Sequence, residues 1–108
     1  MKTPNQTGLI YNVTTKVDIA VADKWLSWIK DVHIPDMMST GCFTHTVILR
    51  LLDVDETEGP TYALQYHCKT RALYQQYIEQ YAHVMRKQAI DRFGESVLSF
   101  RSVLEVVD

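Results

Sequence analysis

The 108-residue chain is poor in the residues that punctuate or staple a fold: four glycines, three prolines and two cysteines. Two cysteines are too few for a disulfide scaffold, and so little glycine excludes collagen-like repeats. No apolar run approaches the roughly 20 residues that a transmembrane helix needs. Neither sign of charge dominates, with 11 basic against 13 acidic side chains and a net charge of −2. The basic residues do not cluster, which argues against nucleic acid as a partner. No C-x-x-C pair, phosphate-binding loop, dinucleotide fingerprint or Ser-His-Asp arrangement occurs, so neither a metal nor a cofactor is expected. The stretch Met1–Gly8 carries one lysine and no hydrophobic segment, so a secretory signal and a membrane partner are not expected and the expected location is cytoplasmic.

What is there is a 46% apolar chain of the usual length for one domain. A domain of that size buries a core without staples. Residues 1–8, with Pro4, polar amides and Gly8, suit a flexible arm, and residues 9–108 a single domain. Cys42 and Cys68 lie in strand-like surroundings and are expected as buried free thiols.

Hydrophobic periodicity orders the elements. Leu9–Val17 alternates as a strand, with Leu9, Tyr11, Val13 and Val17 on one face and Asn12, Thr14 and Lys16 on the other. Asp18 can cap a helix whose stripe is Val21, Trp25, Trp28, Ile29 and Val32, and Pro35 is expected to stop it. A turn at Ser39-Thr40-Gly41 leads to a long strand from Cys42 to Val54, with Phe43, Val47, Leu49 and Leu51 on one face. The polar loop 55–60 returns the chain into a strand from Thr61 to Lys69. Thr70 can cap one long helix with the stripe Tyr74, Tyr77, Ile78, Tyr81, Met85 and Ala89, closed by Phe93-Gly94. A last strand runs from Val97 to Val107 with Leu98, Phe100, Leu104 and Val106 on one face.

The order β-α-β-β-α-β predicts an α+β, ferredoxin-like domain: a four-stranded antiparallel sheet with two helices on one face. The other sheet face is left open, and alternation assigns to it Asn12, Thr14, Thr44, Thr46, Ile48, Arg50, Gln65, His67, Arg101, Val103 and Glu105. A mixed open face calls for a partner or ligand, and the simplest partner is a second copy. A homodimer through that face would enclose a cleft between the two sheets.

Several segments carry a resemblance: I-Y-N-V-T from Ile10, W-L-S-W from Trp25, H-I-P-D from His33, T-G-C-F from Thr40, T-Y-A-L-Q-Y from Thr61, and R-F-G and F-R at Arg92 and Phe100. They resemble an uncharacterised bacterial family, a domain of unknown function. More broadly, the chain is similar to the dimeric α+β barrel superfamily of antibiotic-biosynthesis-type monooxygenases, muconolactone isomerases and haem-degrading enzymes. The narrow family implies no activity. The superfamily implies the dimer and, by analogy of fold alone, oxygenase or isomerase chemistry.

Three functional readings follow. In the first, the inter-sheet cleft is structural or binds a small molecule, with Asn12, Gln65 and Arg101, joined by His67, around one polar cavity. In the second, the same cleft performs cofactor-independent oxygenation or isomerisation of a small carbonyl or aromatic compound. His33 or His67 would then be the base, and Arg101 or Asn12 would steady an enolate. The third is haem binding through His83, although that residue lies off the inner stripe of its helix. His33, at the expected end of the first helix, equally suits a capping role beside the negative end of the helix dipole.

Overall fold

A computed structural model describes residues 8–107, so the expected arm lies outside the described residues except for Gly8. Strand β1 spans Leu9–Val17, as its alternation predicts. The Asp18 carboxylate then accepts the Ala20 N–H at 2.8 Å and starts a tight turn over Ile19–Val21. Helix α1 follows over Ala22–Trp28.

Pro35 does not stop this helix. A widened π turn over Ile29–His33 lets the Ile34 N–H reach back to the Ile29 carbonyl, and α2 continues over Ile34–Ser39 with Pro35 in its first turn. In an ordinary helix the proline ring would collide with the carbonyl four residues back, and its missing N–H would break the ladder. The wider turn confines both costs to a helix start, where no donor is needed. His33 therefore sits inside a continuous helical segment and caps nothing. The segment ends at Gly41, whose φ of 75° provides the left-handed turn.

Strand β2 is only His45–Arg50, shorter than the expected Cys42–Val54. Cys42 and Phe43 are buried ahead of it, and both cysteines are free thiols. Strand β3 spans Thr61–Cys68. The Thr70 hydroxyl caps α3, Arg71–Gln80, by accepting the Leu73 N–H at 3.2 Å. The expected single helix breaks at Tyr81, whose φ of −125° separates α3 from α4, Ala82–Phe93, although no proline or glycine marks the place. Gly94, at φ 54°, ends α4, and β4 runs over Val97–Glu105.

The four strands form one antiparallel sheet in the order β2-β3-β1-β4, the ferredoxin-like arrangement. Trp25, Ile29 and Met37 from the first helical segment, and Tyr77 and Ala82 from the second, join Leu9, Tyr11, Leu64, Tyr66 and Cys68 in one core. Tyr11, Phe43, Tyr66 and Tyr77 are its aromatic centre, with ring centroids 4.9–6.4 Å apart.

Register corrects two face assignments. Val13 pairs with Arg101, so Arg101, Val103 and Ser99 share the helix-covered face with Tyr11, whereas Leu98, Phe100 and Leu104 point to the open face. Ile48 pairs with Leu64, so Thr46, Ile48 and Arg50 also lie on the helix side, and His45, Val47 and Leu49 on the open side. The phase slips at Thr44, which donates its N–H to the His67 carbonyl at 2.8 Å although His45 is the residue paired with His67. That extra residue, bulge-like, lets Phe43 enter the core while Val47 and Leu49 face out.

The loop between β2 and β3 folds back on the end of β1, with Val17 N–H donating to Pro60 O and Ile19 N–H to Glu58 O, each at 2.9 Å. Gly59 makes this approach possible: a Cβ there would stand 1.8 Å from the Val17 carbonyl oxygen. Gly41 also has positive φ, but a Cβ there meets nothing within 4 Å. Urea unfolding should therefore show Gly59→Ala costing clearly more than Gly41→Ala, for which backbone strain of about 1 kcal/mol is expected. Equal losses would mean that the loop does not pack on β1.

Candidate functional site

The polar residues of the helix-covered face, not those of the open face, surround a cavity. It has a volume of about 50 Å³ and lies between the sheet and the two helical segments. The strands contribute Tyr11, Thr15, Tyr66, Ser99 and Arg101, and the helices contribute Trp25, His33, Tyr77 and Arg86. Arg86 reaches it from α4, with Ala89 beside it in the wall.

Two arginines converge on one phenol. Arg86 Nη2 and Arg101 Nε each donate to the Tyr11 hydroxyl at 3.1 Å. Thr15 Oγ1 and Ser99 Oγ lie 2.8 Å apart on the neighbouring strands. Tyr77 donates its hydroxyl to Met37 Sδ at 3.4 Å. Three buried side-chain polar atoms among the described residues lack a hydrogen-bond partner: His33 Nδ1, Tyr66 Oη and Arg86 Nε. All three residues line this cavity. Buried polar groups are almost always paired with protein or ordered water, so these three atoms hold hydrogen-bonding capacity that the protein's own groups leave unused.

Electrostatics follow burial. Desolvation pulls the His33 imidazole down from 6.5 to about 4; Asp36 opposes this and Arg101 adds to it. Its ring stacks on Trp28, with centroids 4.9 Å apart. Neutral at pH 7 and weakly basic, His33 suits hydrogen bonding better than proton abstraction. Burial raises the Tyr66 and Tyr77 phenols, which keep their protons.

The depressed His33 value has a stability consequence. The unfolded chain binds the proton first, so stability is full above about pH 6.5 and falls as pH drops through 4, by up to about 3 kcal/mol. Urea midpoints for the parent and His33→Gln between pH 7 and pH 4 check this. The parent should lose roughly that much more than the variant, and parallel curves would refute a buried neutral His33.

The expected meeting of Asn12, Gln65, His67 and Arg101 does not occur. Asn12 and Gln65 do join on the open face, where Gln65 Nε2 donates to Asn12 Oδ1 at 3.3 Å and Asn12 Nδ2 donates to Thr14 and Ser102. Asn12 is buried by that network within the single chain. His67 is on the same face but stacks on His45, with ring centroids 4.0 Å apart, and burial and His45 lower its pKa. Arg101 and His33 are on the opposite side of the sheet, so no cleft unites His33 with His67 or Arg101 with Gln65. His83 is exposed, pointing away from the cavity.

The residues that sequence reasoning missed are Arg86, Tyr11, Tyr66 and the Thr15–Ser99 pair. Their signal is modest: Thr15 puts a hydroxyl into an otherwise apolar strand face, and Arg86 follows Met85 at the edge of the α4 stripe. Among the described residues no group of three or more His, Cys, Asp or Glu is placed to hold a metal ion, and no helix is long and apolar enough to cross a membrane.

The fold is similar to the crystal structure of a dimeric ferredoxin-like protein from an uncultured marine organism. The TM-score is 0.74 at 12% sequence identity, over 94% of this chain and 97% of that one. At that identity the likeness is one of fold. None of the curated proteins matches the chain significantly. Residues 8–107, nearly the whole chain, match the family described as a domain of unknown function, DUF4286, and the chain belongs to that family.

Proposed function

We propose that the protein is a homodimeric small-molecule-binding domain, with the open sheet faces of two copies packed together and one ligand site in each copy between sheet and helices. The observation that carries the ligand site is the convergence of three partnerless buried polar atoms, His33 Nδ1, Tyr66 Oη and Arg86 Nε, on one cavity. Support for the dimer is the apolar character of the open face, where Val47, Leu49, Leu98, Phe100 and Leu104 are all exposed. A monomer rarely leaves so many large apolar side chains together on one sheet. The similar ferredoxin-like protein is dimeric. The site reading thus moves from between two sheets to the helix side of each sheet.

A fragment screen by amide chemical-shift mapping tests the site. Hits should shift Tyr66, Ser99 and neighbours of Ala89. Ala89→Leu, which adds volume to the cavity wall, should keep the fold and abolish those shifts. Hits that persist in Ala89→Leu, or shifts confined to the protein surface, would overturn the ligand reading.

A further inference from the structure

The ligand's chemistry is written in the imbalance of charge around the cavity. Each guanidinium carries five N–H donors. Arg86 and Arg101 both donate to the same Tyr11 oxygen, and that oxygen has only two lone pairs to offer. The ion pairs among the described residues are Lys16–Glu58, Arg50–Glu56 and Lys87–Asp91, none of which includes either cavity arginine. Two cations flanking a neutral phenol repel one another, and partial burial of Arg86 makes the lack of an anion costly. Arg86 Nε and the Tyr66 hydroxyl are further donors without an acceptor.

We propose that this cavity binds a small carboxylate, the carboxyl group accepting from the Arg86 and Arg101 guanidiniums beside the Tyr11 hydroxyl. This rests on the ligand-binding reading above and adds the class of the ligand. A carboxylate has two oxygens and about four acceptor sites, enough for both guanidiniums. The remaining wall is mixed: Thr15, Ser99 and His33 are polar, while Val13, Ile29, Leu64, Met85 and Ala89 form an apolar part that suits a short hydrocarbon body. Phosphate would direct further charged oxygens at these apolar side chains, which is unfavourable. The volume of about 50 Å³ limits the enclosed part of the ligand to a short aliphatic tail. Arg101 stands on the edge strand β4 and is exposed, so it marks the mouth and the carboxylate end.

Amide-shift titrations with sodium butyrate, its neutral isostere butyramide and inorganic phosphate, at constant ionic strength, test the class. Butyrate should saturate with shifts at Ser99–Arg101 and along α4, and butyramide should bind about tenfold or more weakly. Arg101→Gln, at an exposed position, should keep the unfolding midpoint and weaken butyrate by a similar factor, and Arg101→Lys should restore part of it. Arg86→Gln supplies a second, independent arm. Equal binding of butyrate and butyramide would overturn the carboxylate inference while leaving the cavity reading intact. Phosphate binding as tightly as butyrate, or butyrate indifferent to both arginine variants, would overturn it too. If neither butyrate nor the screened fragments occupy the cavity, the ligand-binding reading itself falls.

Discussion

Phe100→Asp should sediment as a monomer of 12.5 kDa at micromolar concentrations where the parent protein sediments at about twice that mass. Phe100 is 65% exposed in the single chain and lies on β4 opposite Thr14, among Leu98, Leu104 and Ile10 on the open face. Large aromatic side chains near the middle of an interface carry most of its binding energy, commonly 2 kcal/mol or more when truncated. A carboxylate in the same place adds the cost of burying an unpaired charge. A loss of about 3 kcal/mol raises the dissociation constant on the order of a hundredfold. Val84→Asp, an exposed apolar residue on α4 and away from the sheet, should leave the mass unchanged. A parent protein that sediments as a monomer, or a Phe100→Asp variant that remains dimeric, would refute association through this face.

Trp25→Ala should destabilise the fold by about 3–5 kcal/mol, a large share of the 5–15 kcal/mol typical of a small domain. The indole is 2% exposed, stacks on Tyr62 with ring centroids 5.4 Å apart, and forms part of the cavity wall. Truncation would enlarge a space that the sheet, fixed by its hydrogen-bond ladder, cannot collapse to fill, which places the cost in the upper part of the range. Trp28→Ala, at a residue that stacks on His33 and meets Phe93 edge-on, should cost a similar amount. Near-parental urea midpoints for both variants would refute the packing of the first helical segment on the sheet.

Element order and most boundaries were legible because they depend on neighbours in the chain. Strand β1, the caps at Asp18 and Thr70, and the glycine turns at Gly41 and Gly94 each rest on a side chain or backbone preference acting within a few residues. Pro35 does not end the helix because the local rule against proline has a second solution. The helix can also widen by one residue before the proline, and packing of Trp28, Ile29 and Met37 in one core favours continuing over stopping. The break at Tyr81 has no local signal at all, since the residues on both sides of it fit a single helical stripe.

Faces were a different matter. A period of two tells which residues share a side of a strand, but not which side meets the helices. In β1 and β3 the large apolar residues, Ile10 excepted, are on one side, so the assignment followed from the amino acids alone, and with it the pairing of Asn12 with Gln65 on the open face. In β4 both sides carry apolar residues, and the richer one, Leu98, Phe100 and Leu104, turned outward. In β2 one extra residue at Thr44 reversed the phase. The sequence by itself thus determined the ferredoxin-like order and the aromatic core. Only the tertiary structure decided that Arg101 joins Arg86, His33 and Tyr66, because that depends on the register Val13–Arg101 and on a kinked helix bringing α4 over β1 and β4, contacts between residues far apart in the chain.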